Sequence, residues 1–359
     1  MFSANDYAQL RAFFADRRDL MPTPTVALPG LAAKLGLGAL AAKDESARFG
    51  LNAFKLLGAG FAIETLVRGG HLKPGDRVVC ASEGNHGRAV ARAAKGAGCA
   101  SRVYMARDAA QPRADAIAAE GAEVIRVDGS YDDAVRAMRV EAAANGWTII
   151  SDTSWDGYER IPFLIMLGYT RMLDELGSGV QEFRSSGVGS QFPTHIFVQG
   201  GVGGLLCAIA SWCAFNRPEC RVVSVEPEDA ACLQASARAG RAVAVEGALT
   251  TTMAGLRNRE VSPLAFESLL PNVDAFVAIG DAWAHDAMRA LATPINGDGT
   301  IAAGASGAAA LGGLMALCRA ETMHRTRQQL ALDGSSRVLV IVSEGVTDPD
   351  LWRAVVSAQ

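Results

Sequence analysis

The sequence predicts an α/β protein with two lobes, doubly wound, its mostly parallel sheets covered by helices. Two patterns and the chain length point there. Continuous apolar runs recur along the chain without the polar alternation of a half-exposed strand, as expected where both faces of a sheet are covered. Alanine-rich stretches long enough for crossover helices separate them. The chain has 359 residues, more than the roughly 250–300 over which a single core keeps growing.

The first series of strands is predicted at Arg77–Ser82 (RVVCAS), Ser101–Ala106 (SRVYMA), Glu123–Asp128 (EVIRVD) and Trp147–Asp152 (WTIISD). Helices are predicted between them at His86–Ala97, Gln111–Glu120 and Tyr131–Ala144. A second series follows at His195–Gln199, Arg221–Glu226, Ala275–Ile279 and Arg337–Val342. Gly177–Gln191 is rich in Gly and Ser and reads as a surface loop within a lobe; Arg257–Pro263 is a polar break of the same kind. The expected division is a smaller inserted domain over 77–162 and a larger one made of 1–76 and 163–359. No internal repeat or low-complexity tract interrupts this plan. Ligands of such sheets bind at the carboxyl ends of strands.

The net charge of -4 gives no electrostatic reason for nucleic acid or an anionic membrane as partner. Seven cysteines are scattered, with no C-x-x-C pair and no histidine at zinc spacing, so no metal site is predicted. They read as small buried hydrophobes in a reducing compartment, and the expected location is the cytoplasm. The first residues, MFSANDYAQLRAFFADRRDL, are charged and amphipathic and do not form a secretory signal. No run reaches the roughly 20 apolar residues of a membrane span, and no separate allosteric domain is expected after Gln359.

Four segments carry chemistry. In Arg48–Gly58, RFGLNAFKLLG, Lys55 lies in an apolar run at the expected first turn of a helix continuing to Val67. Desolvation and the positive helix end both favour the neutral, nucleophilic amine that imine formation needs. Taken alone, such a lysine is more often one whose stem lies on the surface. Ser82–Gly87, SEGNHG, runs from a strand into a helix, where backbone amides suit a carboxylate and Asn85 can hydrogen-bond a phenolic oxygen. Gly and Asn also fill such turns for steric reasons. Gln199–Leu205, QGGVGGL, opens another helix, and its glycines let backbone wrap a phosphate. It matches neither a Walker A loop nor a dinucleotide fingerprint. Ser343–Gly345, SEG, ends the strand VLVIV, where a hydroxyl can meet a ring nitrogen.

In this order the four segments resemble the fold-type II pyridoxal-phosphate enzymes, a group that includes serine and threonine dehydratases and the tryptophan synthase β-subunit. Several stretches are more similar to the diaminopropionate ammonia-lyases: RFGLNAFKLLG, EGNHGRAVA (83–91), QPRADAIAAEGAEV (111–124), SDTSWDGYERIP (151–162), TMAGL (252–256) and SEGVTDP (343–349). The resemblance spans residues 40–350 and implies pyridoxal 5'-phosphate as cofactor, bound mainly in the larger domain. It implies Lys55 as the Schiff-base lysine and Asn85 facing the phenolic oxygen. Gly200, Gly201, Val202, Gly203 and Gly204 would take the phosphate, and Ser343 the pyridine nitrogen. Ser82, Gly84 and His86 would surround the substrate carboxylate. A hydroxyl at the ring nitrogen does not hold it protonated, which suits prompt loss of a β-substituent.

Two carboxylates complete the implied site. Asp152 follows its strand at the position of one family acid/base group and should stay ionised beside an imine; as a residue type it is also an ordinary strand-end turn aspartate. Glu83 stands where the lyases carry an Asp before G-N-H-G, displaced by one methylene, and is expected to act on the face opposite Lys55, admitting D-isomers. A second departure is Ala305 in GASG (304–307), where the lyases carry Glu. The implied reaction is α,β-elimination of 2,3-diaminopropionate, or a related β-substituted amino acid, to pyruvate and ammonia. A serine, threonine or hydroxyaspartate-type dehydratase, a β-replacement synthase and a non-catalytic binding protein remain alternatives. The partners implied are a small amino acid and, by class analogy, a second copy of the chain.

Overall fold

The computed structural model describes residues 1–15, 17, 19–177, 179–186 and 191–358. Ten strands form among them: β1 Thr25–Ala27, β2 Ala39–Asp44, β3 Arg77–Ala81, β4 Ala100–Ala106, β5 Glu123–Val127, β6 Thr148–Ile149, β7 His195–Gln199, β8 Arg221–Pro227, β9 Ala275–Ile279 and β10 Arg337–Val342. They build a six-stranded sheet ordered β1-β2-β10-β7-β8-β9 and a four-stranded sheet ordered β5-β4-β3-β6. All eight strands predicted from apolar runs are present. The sequence reading missed β1 and β2, for β2 (ALAAKD) has neither a β-branched residue nor an aromatic one.

The chain divides into a smaller compact unit, Ala4–Arg17 with Phe54–Tyr169, and a larger one, Met1–Ser3 with Arg18–Ala53 and Thr170–Gln359. The sequence reading drew the borders at 76/77 and 162/163 instead. In the smaller unit the helix Leu56–Arg68 packs on the helix Arg160–Tyr169, so both belong to it. Glycine makes this contact possible. A Cβ on Gly58 would sit 2.6 Å from Ile165 O, and one on Gly168 would sit 2.8 Å from Gly58 Cα and closer still to Leu57 O.

The sheet of the smaller unit is parallel throughout, with Val79 opposite Arg102 and Ile149, and Tyr104 opposite Ile125. The helix Tyr131–Asn145 covers one face, burying Ala134, Met138 and Ala142 against Val79, Ala81 and Tyr104. Its start is fixed by a capping box between Ser130 and Asp133, and its end by Gly146 at φ 67°.

In the larger unit β2, β10, β7, β8 and β9 run parallel, while β1 pairs antiparallel with β2 at the edge. The helix Ala305–Arg319 is buried along nearly its whole length. Its small residues allow that depth, since a Cβ on Gly313 would lie 2.5 Å from Val225 Cγ2. Of the expected loop Gly177–Gln191, residues 181–186 form a 3₁₀ turn and Val180 bridges Gln191; residues 178 and 187–190 lie outside the described residues.

A buried charge network lies in this unit. Lys43 Nζ donates to Glu175 at 2.6 Å, and Arg48 donates to Glu175 at 2.7 and 3.0 Å and to Glu45 through Nε and Nη2. All four side chains are at most 1% exposed. Arg171 Nε, on a side chain 21% exposed, adds a third cation 3.4 Å from Glu175. The seven thiols are unpaired, and Cys318 alone is not fully buried.

Candidate active site

Lys55 lies immediately before the first residue of Leu56–Arg68, with helical φ and ψ. The backbone leading to it is unusual: Phe49, Gly50 and Asn52 all have positive φ, of 55°, 69° and 59°. The Lys55 stem passes near aromatic rings, with Nζ 5.2 Å from the Phe54 centroid and 5.7 Å from that of Tyr169. Nζ donates to Asp152 Oδ2 at 2.6 Å, an ion pair with 25% and 18% of the two side chains exposed.

Asp152 follows β6. Burial alone would raise its carboxyl, but the charges of His86 and Lys55, with the Lys55 hydrogen bond, hold it well below the usual carboxylate range. It is therefore a carboxylate at any neutral pH, as the sequence led us to expect. Three phenols surround this end of the sheet. Tyr131 donates to Ala81 O at 3.2 Å, and Tyr158 donates to Ile149 O at 2.8 Å while accepting from Ser151 N at 2.9 Å. Tyr169 is fully buried against Phe54. Burial pushes all three hydroxyls up, so they remain neutral. Sequence reading missed these tyrosines.

Ser82 leaves β3, and its Oγ accepts from Gly87 N at 2.9 Å and Gly84 N at 3.2 Å, fixing the start of the helix Asn85–Gly96. Glu83, Gly84 and Asn85 are half-buried on this turn. His86 is buried, its Nε2 2.8 Å from Ile150 O and its Nδ1 3.7 Å from Asp152 Oδ2. Its ring is committed to the backbone just after β6 and faces Asp152.

In the larger unit, Gly200–Gly204 runs from β7 into the helix Gly204–Asn216. Gly201 and Gly203 take φ of 57° and 98°, conformations a side chain would strain. Beneath the loop, a Cβ on Gly200 would meet Glu226 Cγ at 2.6 Å. Burial pushes the Glu226 carboxyl up to about 7 against the amides of Leu233 and Gln234, which it accepts. Gln199 anchors the start of the loop, its Nε2 donating to Ile341 O, Gly307 O and Ser306 O at 2.8, 2.9 and 3.1 Å. Because β10 pairs with β7 in parallel, Val340 opposite Phe197, both strands end on the same edge. Ser343, 5% exposed, and the glycine loop thus share one strand edge.

Ala305 opens its helix and is buried. A carboxylate is nevertheless close by: a Cβ on Gly304 would lie 3.4 Å from Glu344 Oε1, and one on Gly255 3.7 Å from Oε2. Gly255 N donates to Ser306 Oγ at 2.9 Å, tying the TMAGL segment to GASG. A separate cavity of about 310 Å³ is lined by Lys34, Arg289, Asp298 and Arg319 among others, and none of the predicted site residues lines it.

The residues present suit pyridoxal phosphate. Glycine amides at a helix start offer an anion cradle, a buried hydroxyl lies on the same strand edge, and a lysine amine is paired with a carboxylate. The family model of pyridoxal-phosphate dependent enzymes matches residues 17–344. The chain belongs to that family. Over 373 residues it is 38% identical to diaminopropionate ammonia-lyase from Escherichia coli (strain K12), covering 99% of this chain and 92% of the relative. The crystal structure of the E. coli lyase with an aminoacrylate–PLP azomethine reaction intermediate superposes with a TM-score of 0.89, at 37% identity over 99% of this chain and 92% of that one. A second E. coli structure, with D-serine, gives 0.88 at 36% identity and the same coverage. The fold is that of these enzymes, and the cofactor is pyridoxal phosphate.

Proposed function

We propose that this enzyme eliminates the β-substituent of 2,3-diaminopropionate, giving pyruvate and two molecules of ammonia with uptake of one water. The observation that carries the chemistry is the Lys55–Asp152 pair at 2.6 Å, an amine donating a hydrogen bond to a carboxylate. Similarity to the E. coli lyase over nearly the whole chain supports the substrate.

When bound, pyridoxal phosphate supplies an aldehyde for an amine and an electron sink that acidifies the α-carbon. Lys55 and Asn85 would hold its aldehyde and phenolic oxygen, Gly200–Gly204 its phosphate, and Ser343 its ring nitrogen. Lys55 would take the α-proton of the isomer that presents it to the lysine's face, and Glu83 that of the opposite isomer. Asp152 keeps its charge, so it would accept a hydrogen bond from the substrate's amino group, while Lys55 would pass the proton it has taken up to the departing amine. The turn Ser82–His86 would hold the substrate carboxylate. Glu344, buried near Ala305, supports recognition of a distal ammonium despite the missing family Glu.

Pyruvate release from L- and D-diaminopropionate, serine and threonine tests the reading. Turnover of diaminopropionate at least about 10-fold better in kcat/KM than serine is expected, a difference of about 1.4 kcal/mol in the barrier. A preference for serine or threonine identifies a dehydratase instead. Free, mostly buried thiols support a cytoplasmic enzyme, and class analogy a homodimer, which light scattering tests.

A further inference from the structure

His86 and Lys55 converge on one atom. Asp152 Oδ2 accepts from Lys55 Nζ at 2.6 Å and has His86 Nδ1 at 3.7 Å. The far side of the imidazole is already fixed, for Nε2 lies 2.8 Å from the carbonyl oxygen of Ile150. A carbonyl only accepts, so Nε2 carries a proton. That leaves Nδ1, buried and without a hydrogen-bond partner, turned towards a carboxylate just beyond hydrogen-bond reach. With the proton confined to Nε2, a lone pair on a buried nitrogen would face an anion, which is repulsive. A second proton, on Nδ1, makes the same geometry attractive.

Among the described residues, the charges that hold Asp152 ionised include those of His86 and Lys55. Cys80 on β3, Tyr131 on the helix Tyr131–Asn145, Tyr158 after β6 and Tyr169 on the helix Arg160–Tyr169 are held neutral by burial and feel the Asp152 charge. Glu83 adds negative charge at Tyr131. Lys55 and His86 are therefore the positive partners of Asp152, and they differ in mobility. Lys55 must give up its ion pair whenever its amine is engaged, whereas His86 is pinned by Ile150.

We propose that His86 is a positioning residue whose Nδ1 proton holds the Asp152 carboxylate in place whenever Lys55 lets it go. This rests on Asp152 being an acid/base group of the proposed reaction. It assigns the His86 ring to Asp152 and not to the substrate carboxylate.

Ring-nitrogen NMR on protein labelled with ¹⁵N-histidine tests it, with pyridoxal phosphate bound and after its removal. The chain has five histidines, and His86→Gln identifies the relevant signals by their loss. At neutral pH both His86 nitrogens should carry protons, with cofactor and without, and Asp152→Asn should remove the Nδ1 proton. An unprotonated Nδ1 beside intact Asp152, or one indifferent to Asp152→Asn, overturns the proposal. In steady-state kinetics His86→Gln should lower kcat about 100-fold, while KM and the visible absorbance of the Lys55–cofactor adduct stay within about twofold. A raised KM at unchanged kcat marks a substrate contact and also overturns it. If no amino acid is turned over, the assigned reaction fails, and the NMR result still decides the role of His86.

Discussion

Removing Glu175 should destabilise the larger unit more than any change of one surface charge. Its carboxylate accepts from Lys43 at 2.6 Å, from Arg48 at 2.7 and 3.0 Å and from Thr23 N at 3.3 Å, and it is 1% exposed. Glu175→Ala leaves two buried cations facing Glu45 alone. Stripping one partner from such a pair costs about 3–5 kcal/mol. At about 2–4 °C per kcal/mol for a unit of this size, melting should fall by about 6–20 °C. Glu175→Gln keeps acceptor atoms while losing the charge, so its melting point should lie between those of Glu175→Ala and the parent. Calorimetry and urea unfolding of the holoenzyme and both variants measure this. A loss below about 1 kcal/mol, the worth of an exposed ion pair, would refute the reasoning, as would equal losses in the two variants.

The same residue predicts a pH dependence. Burial alone would raise the Glu175 carboxyl, yet Arg48 and then Lys43 hold it below its ordinary value. Its stabilisation is thus complete above the unfolded value of about 4.3 and lost as pH falls through the lower folded one. Glu175→Gln should flatten that acid limb in pH-dependent unfolding. Gly168→Ala forces a methyl between two helix backbones and should cost about 1–3 kcal/mol in urea titrations. Lys55→Ala should abolish the visible absorbance of the holoenzyme and lower elimination by at least about 10²–10⁴-fold; an unchanged spectrum would refute its role. Asp152→Asn should lower kcat by about 10²–10⁴-fold and keep a yellow protein, checked by stopped-flow pyruvate release.

Much of this molecule was legible because its strands are buried on both faces and their apolar runs are uninterrupted. Arg77–Ala81, His195–Gln199 and Arg337–Val342 carry Val and Ile in unbroken blocks, a signal local to each segment. β2 was opaque for the opposite reason, being alanine-rich with a lysine whose buried partner, Glu175, lies on the other side of the smaller unit in sequence. The border of the units was misplaced because Gly58 and Gly168 look like ordinary helix glycines until their backbones meet. In the site, the residue types of Lys55, Asn85 and Asp152 were readable from flanking motifs. The turning of the His86 ring to Ile150 was not, since a one-dimensional pattern places a side chain on a turn without saying which way it faces.

The close seating of Gly58 against Gly168 has a mechanical corollary. At that contact neither glycine has a side chain to give way, so the helices meet backbone against backbone near the end that carries Lys55. Travel of the amine between its tasks then falls to rotations about the four-carbon stem, with the anchor point stationary.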